Sequence, residues 1–176
     1  MRSPTVLSDG IKVDYGLGTR LGDLRGHRMF GHTGKGGGFN NVLEYYPDED
    51  LTIVILMNSD TAVTALKIAG EIARGVLAIA SKPVSEQLLS ESEIVRFGGT
   101  FESEGGTATL FGDHGRIRVK NDEGGSSSTL VYLGDDEFAT GPETIAKVLV
   151  KNGRAQGAAI YTAGLFMDMS WRVPAN

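Results

Sequence analysis

From Gly99 onward the chain is punctuated by glycine-bearing turn signals at intervals of about 8–12 residues. They are Glu104-Gly105-Gly106, Gly112-Asp113-His114-Gly115, Asn121-Asp122-Glu123-Gly124-Gly125, Gly134-Asp135-Asp136, Gly141-Pro142 and Asn152-Gly153. Between them lie 107–111, 116–120, 129–133, 137–140, 145–151, 158–162 and 166–173, each long enough for one strand. Such spacing leaves no room for a helix and restricts this half to an antiparallel sandwich or up-and-down barrel. Asn152-Gly153 is the strongest hairpin signal, because a two-residue type I′ turn needs positive φ at both positions. Closing the sheet on itself would remove its unpaired edges.

The first half has a different texture. Ile11, Val13, Tyr15 and Leu17 alternate with Lys12, Asp14, Gly16 and Gly18, which predicts a strand with one buried face. Residues 27–33 and 39–46 read as two more strands. Pro47-Asp48-Glu49-Asp50 is a turn signal. The run 51–57 (Leu-Thr-Ile-Val-Ile-Leu-Met) is nearly all apolar and β-branched, which suits a strand covered on both faces. The period then changes: Ala62, Leu66, Ala69, Ile72, Ala73, Val76, Leu77 and Ala80 recur at helical spacing, with Lys67, Glu71 and Arg74 opposite. This predicts a helix over 61–80, capped by Ser59 or Asp60, lying across the sheet. Pro83 and the Ser/Glu content of 81–93 read as a linker, and Ser90 with Glu93 as a capping box for a short helical turn ending at Gly98. The expected class is α+β: residues 1–82 as an antiparallel sheet with a C-terminal covering helix, 83–92 as linker, and 93–176 as a small all-β barrel.

Composition removes several functions. Twenty-two acidic against 17 basic residues leave a net charge of −5, with no basic run, which argues against nucleic acid and anionic membranes as partners. The absence of cysteine removes disulfides and thiolate metal sites. The longest apolar run, 51–57, is too short to span a bilayer, and Met1-Arg2-Ser3-Pro4 shows no apolar signal core. Asp48-Glu49-Asp50 and Asp135-Asp136-Glu137 lack the spacing of a calcium-binding loop and read as solvated turns, so no metal or other cofactor is expected. The stretch 26–33 mimics a phosphate loop, but its centre reads as strand and His stands where Lys is needed. Tyr15-Gly16-Leu17-Gly18 opens a dinucleotide pattern that Leu21 breaks. His27 and His114 sit in polar surroundings and read as solvated. Trp171 and Phe166 read as barrel core, with a ligand-binding mouth as their alternative use.

One stretch carries chemistry: Phe30-Gly31-His32-Thr33-Gly34-Lys35-Gly36-Gly37-Gly38-Phe39. It places His-Thr-Gly between a strand-like run and a run of glycines. Tyr15-Gly16-Leu17-Gly18 precedes it; Glu44-Tyr45-Tyr46-Pro47, the apolar run and Asn58-Ser59 ahead of the helix follow. This order resembles the C-terminal part of the β-lactamase-like serine hydrolases, which include class C β-lactamases, penicillin-binding proteins, D-aminopeptidases and related esterases. Residues 93–176 resemble the lipocalin-like β-domain appended to many of them.

The resemblance implies amide or ester cleavage through an acyl-serine intermediate, without a metal. It implies that His32 and Thr33 lie beside the substrate's carboxylate and proton network, that Gly34 leaves room for substrate along the strand, and that the Lys35 N–H is an oxyanion donor. The family's other motifs are a Ser-x-x-Lys nucleophile and a Tyr or Ser partner motif. No serine here has lysine three residues on, and no tyrosine has asparagine or serine two residues on. The expectation is therefore a fragment, inactive alone, whose partners are the parent's peptide or small-molecule substrate and the missing N-terminal portion of the hydrolase. Exposed strand edges predict homo-oligomers by strand or domain exchange. Family analogy points to the bacterial periplasm or exterior. The alternative is a non-catalytic module that binds a peptide or small ligand.

Overall fold

The computed structural model describes residues 2–59, 63–80, 85–104, 106–121, 127–141 and 143–174. They form fourteen strands and two helices, so the chain is mostly β where the sequence reading expected α+β. Only one segment sustains a helical period for more than two turns. The chain divides into two compact units, Met1–Lys82 with Tyr161–Met167, and Pro83–Ile160 with Asp168–Asn176.

In unit one, β1 (Thr5–Val6) and β2 (Lys12–Val13) form a small ribbon. An antiparallel meander follows: β3 (Arg20–Leu24), β4 (His27–Gly36), β5 (Phe39–Tyr46) and β6 (Leu51–Met57). Two of its turns, Arg25-Gly26 and Gly37-Gly38, have positive φ at both residues, as the twist of a tight hairpin demands. The alternation over 11–17 gives only β2 and a bridge from Tyr15 to Arg20. The Gly16 N–H bonds Thr19 O at 2.7 Å and Gly18 is left-handed, so the chain turns before the strand can extend. Strand β3, whose mix of charged and apolar residues has no clean period, was not anticipated.

Helix α1 (Ala65–Val76) is shorter than the predicted 61–80. Its cap is Thr64, whose Oγ1 accepts the Lys67 N–H at 3.2 Å, rather than Ser59 or Asp60. Asp60, Thr61 and Ala62 lie outside the described residues. At the other end Ala78 turns left-handed, which stops the helix before Ala80. Ala65, Leu66, Ala69 and Ala73 join Val42, Tyr46 and Ile53 in one buried core. Alanines along this stripe let the helix approach the sheet closely.

Strand β6 is not covered on both faces. Ile53, Ile55 and Met57 join the core, whereas Val54 and Leu56 are 51% and 77% exposed. Leu43 and Phe39 on β5 are likewise 50% and 57% exposed. An apolar β-branched run forms a strand whether one face or two are covered, so its composition cannot distinguish the cases.

Unit one also includes Tyr161–Met167. Leu165 stands opposite Gly22, and the Asp23 N–H bonds Gly164 O at 3.0 Å. The approach is so close that a Cβ on Gly22 would sit 2.2 Å from Gly164 O, and one on Gly70 would sit 2.7 Å from the Ala163 Cβ. The Tyr161 hydroxyl donates to Asp14 Oδ2 at 2.6 Å, and Arg20 Nη1 donates to Phe166 O at 3.1 Å and to Met167 O. Phe166, expected in the barrel core, is therefore buried in unit one.

In unit two, α2 (Glu91–Phe97) carries the predicted capping box: Ser90 and Glu93 satisfy each other's backbone N–H, and Gly98 ends the helix. Strands β7 (Gly99–Ser103), β8 (Gly106–Asp113), β9 (Arg116–Asn121), β10 (Ser127–Gly134), β11 (Glu137–Gly141), β12 (Thr144–Lys151), β13 (Arg154–Thr162) and β14 (Leu165–Arg172) follow in up-and-down order. β14 pairs with both β13 and β7, which closes an eight-stranded barrel. Asn152 and Gly153 both have positive φ, as their hairpin required. The Pro142 and 122–125 turn signals lie outside the described residues. Phe97, Tyr132 and Phe138 meet with ring centroids 5.0–5.7 Å apart, and Phe97 is fully buried. Arg172 Nη2 donates to Gly98 O at 2.8 Å and Nε to Ala155 O, with its guanidinium 4.9 Å from the Phe101 ring centre. Trp171 is half-buried opposite Glu102 rather than part of the core.

Candidate functional site

His32, Thr33, Gly34 and Lys35 are consecutive on β4, so their side chains alternate between its two faces. β3 pairs with β4 only as far as Arg20 opposite Gly31. Beyond that point β4 keeps β5 on one side, through the pairs Thr33–Val42, Gly34–Asn41 and Lys35–Asn40, and has no strand partner on the other among the described residues. The His-Thr-Gly segment thus begins where the sheet loses a strand.

The imidazole of His32 is held at both nitrogens. Nδ1 lies 2.6 Å from Thr33 O, and Nε2 lies 3.0 Å from the Tyr15 hydroxyl. A carbonyl can only accept, so Nδ1 carries the proton, and in the neutral ring Nε2 is left as acceptor for the Tyr15 O–H. The two rings meet edge-on with centroids 6.0 Å apart. Arg20 lies over the Tyr15 ring, 5.9 Å from its centre. Sequence reasoning placed Tyr15 in the motif order but gave it no role; it is 17 residues from His32, and only the turn through Gly16 and Gly18 brings them together.

Space around the segment is uneven. A Cβ on Gly34 or Gly36 would meet nothing within 4 Å, so the strand there is open to an approaching chain. A Cβ on Gly31 would sit 2.0 Å from Leu43 O, so that glycine is required by the packing of β4 on β5. Register puts His32 across from Leu43, and Leu43 across from Val54. The imidazole therefore shares the uncovered apolar face of the sheet.

Two buried polar residues beneath the site escaped the sequence reading. Asn40 Oδ1 accepts the Ala65 N–H at 3.0 Å and ties the end of the Gly-rich turn to the start of α1. Its neighbour Asn41 accepts the Met57 N–H at 3.1 Å. Glu44 has no solvent exposure; its Oε2 takes the Tyr46 hydroxyl at 3.0 Å, while Oε1 has no partner among the described residues. Burial pushes its pKa up to about 7 against the opposing effect of the Tyr46 bond, and the same burial raises the Tyr46 phenol. Alternating polar residues in a strand ordinarily mark its wet face, and nothing local shows that this set points inward.

The acidic turn 48–50 forms ordinary surface pairs. Asp48 takes a two-pronged bond from Arg28 at 2.6 and 2.9 Å, Asp50 takes the Tyr45 hydroxyl at 3.0 Å, and Glu49 meets His27 Nδ1 at 2.5 Å. His27 is thus paired and only partly exposed, whereas His114 is open to solvent beside Asp113. Among the described residues no group of three or more His, Asp or Glu could hold a metal ion, and no helix is long and apolar enough to cross a membrane.

Comparison with known proteins gives this geometry a context. Residues 1–77 match the family described as Beta-lactamase. A D-aminopeptidase of Brucella anthropi is 30% identical over 162 residues, covering 89% of this chain and 26% of that protein. A second D-aminopeptidase of Brucella anthropi is 25% identical over 147 residues, covering 84% of this chain and 27% of that protein. The chain thus spans about a quarter of the length of these relatives. Among solved structures, SurE has a similar fold, with a TM-score of 0.54 at 18% identity over 90% of this chain and 37% of that chain. SurE with D-Leu gives 0.52 at 19% identity, over 97% and 40%.

Proposed function

From the match of residues 1–77 to the family described as Beta-lactamase, we propose that β4 forms one wall of an acyl-serine hydrolase site. In this reading α1 is the covering helix of a partial hydrolase domain, and the barrel is its appended lipocalin-like domain. Thr33 offers a hydroxyl to a substrate carboxylate. The Lys35 N–H faces the oxyanion, a donor worth about 3–4 kcal/mol in serine enzymes. His32 Nε2, now held by Tyr15, joins the proton network once substrate and nucleophile are present. The whole protein cleaves an amide or ester; the D-aminopeptidase relatives favour a substrate with a D-amino acid beside the scissile bond.

The observation that carries this reading is the position of His32: on a strand past the end of its neighbour, over open space at Gly34, with Nε2 3.0 Å from a phenol. The chain has no Ser-x-x-Lys, so alone it forms no acyl-enzyme. The check is a fluorophosphonate reagent on the isolated chain followed by mass spectrometry. No labelled serine is expected; stoichiometric labelling would refute inactivity. For the wall itself, the chain replaces the matching stretch of a Brucella anthropi D-aminopeptidase. Cleavage of D-amino-acid amides survives in the chimera, and His32→Ala lowers kcat/KM about 100-fold. An unchanged kcat/KM in the variant removes His32 from the reaction.

The uncovered face supports the fragment reading. Phe39, Leu43, Val54 and Leu56 present a contiguous apolar surface beside His32. The rest of the hydrolase domain covers it in the whole protein; without that cover, copies of the chain associate through it. Sedimentation at rising concentration is expected to show oligomers, and Leu43→Lys with Leu56→Lys to shift them toward monomer. A wild-type chain that stays monomeric throughout contradicts the assignment.

A further inference from the structure

The barrel of unit two is hollow. A cavity of about 340 Å³ lies inside it, at the small end of the range for small-molecule sites, about 300–1,000 Å³. Its emptiness follows from the inward residues. Ala108, Ala146, Ala155 and Gly157 line the wall where a filled barrel of this strand number would carry branched side chains. At Gly157 a Cβ would sit 2.4 Å from Ser170 O, so no larger residue fits there without moving β14.

The two ends of the cavity differ. Phe97 from α2 lines one end, with its ring edge-on to Phe138 and tilted against Tyr132. The opposite end is the one at which β7, β9 and β11 finish. There the lining is polar: Asn121, Ser128 and Thr140, all exposed. An aromatic apolar end, walls that mix alanine with aliphatic residues and a polar rim are the plan of a ligand pocket rather than of a packed core.

One charge faces this space. Among the described residues Asp168 on β14 is the only charged residue of the lining, with no described lysine, arginine or histidine beside it. Its Oδ1 accepts the Met169 N–H at 2.7 Å, and no described cation pairs with the carboxylate. A carboxylate beside an apolar cavity repels anions and offers an ammonium group the partner it loses on leaving water.

We propose that the barrel binds a small molecule with an apolar body and a cationic amine, the body against the Phe97 end and the amine on Asp168. This stands independently of the hydrolase reading, since it uses residues of unit two alone.

The test is a backbone-amide NMR titration of the full chain with n-octylamine, n-octanol and n-octanoate. The amine is expected to shift amides of β8, β12 and β13, with a Kd at least about tenfold below that of octanoate. Asp168→Asn is expected to bring the amine level with octanol while octanol binding stays unchanged. Val148→Phe, which fills the cavity from its wall, is expected to abolish binding of all three. Octanoate binding as tightly as octylamine overturns the proposal. So do shifts confined to residues outside the barrel, no shifts with any of the three, or an amine preference that survives Asp168→Asn. If Val148→Phe does not fold, the Asp168→Asn comparison decides alone.

Discussion

Replacing Glu44 by Gln is expected to stabilise the chain more at about pH 8 than at about pH 5, by roughly 2–3 kcal/mol. The carboxyl has no exposure, and one of its oxygens has no partner among the described residues. Burial raises its pKa from 4.5 to about 7. In the unfolded chain the group keeps its ordinary value, so between the two values the folded state holds the proton more tightly. The stability this gives is present below about pH 4.5 and is lost as the pH climbs through about 7. Each unit of pKa difference is worth about 1.4 kcal/mol, which sets the scale. Gln keeps the shape and stays neutral at every pH, so the loss vanishes in the variant. The surface carboxylates Asp48, Glu86 and Asp113 do not obscure this. Hydrogen bonds from Arg28, Arg116 and His114 with Arg118 hold them below the carboxylate range, so their contribution is lost only at lower pH as the pH falls. Urea unfolding of both proteins at the two pH values checks the result; parallel pH dependences would show that Glu44 is ionised in the fold.

Gly22→Ala is expected to cost about 3 kcal/mol or more. The added methyl would lie 2.2 Å from Gly164 O and 2.8 Å from the Leu165 Cα, both backbone atoms that no rotamer change can move. Relief requires pulling the Ala163-Gly164 turn away from β3, which breaks the Asp23 N–H bond to Gly164 O and exposes Leu165. Gly36→Ala is the control: the same methyl there meets nothing within 4 Å, and a change within about 0.5 kcal/mol is expected. Thermal or urea unfolding of the pair distinguishes close packing from a general intolerance of alanine. Equal losses in both would remove the steric explanation.

What could be read from the sequence was what depends on neighbours in the chain. The Asn152-Gly153 hairpin, the Ser90–Glu93 capping box and the extent of β5 each rest on spacing within a few residues. The strand over 27–33 was legible for the same reason, because a glycine-flanked strand leaves a local signature. The hidden features all join distant positions. Tyr15 reaches His32 across 17 residues, Asn40 accepts the first N–H of α1 across 25, and Arg20 bonds a carbonyl 146 residues away. Strand β3 has no period of its own and is fixed by β4 and by the 161–167 segment. Inward positions of the barrel could be listed from alternation. That several are alanine or glycine, leaving a hollow, emerges only when facing strands are set side by side.

The membership of Tyr161–Met167 in the first unit bears on how the polypeptide matures. A ribosome delivers the N-terminal segment first, and such segments ordinarily compact as they emerge. Here Ala163 and Leu165, both core residues, are translated only after β3–β6, α1 and β7–β13. Until then β3 lacks its flanking strand and the groove beside Gly70 stands empty. The nascent meander of β3–β6 must wait, unfinished, for a late-arriving plug.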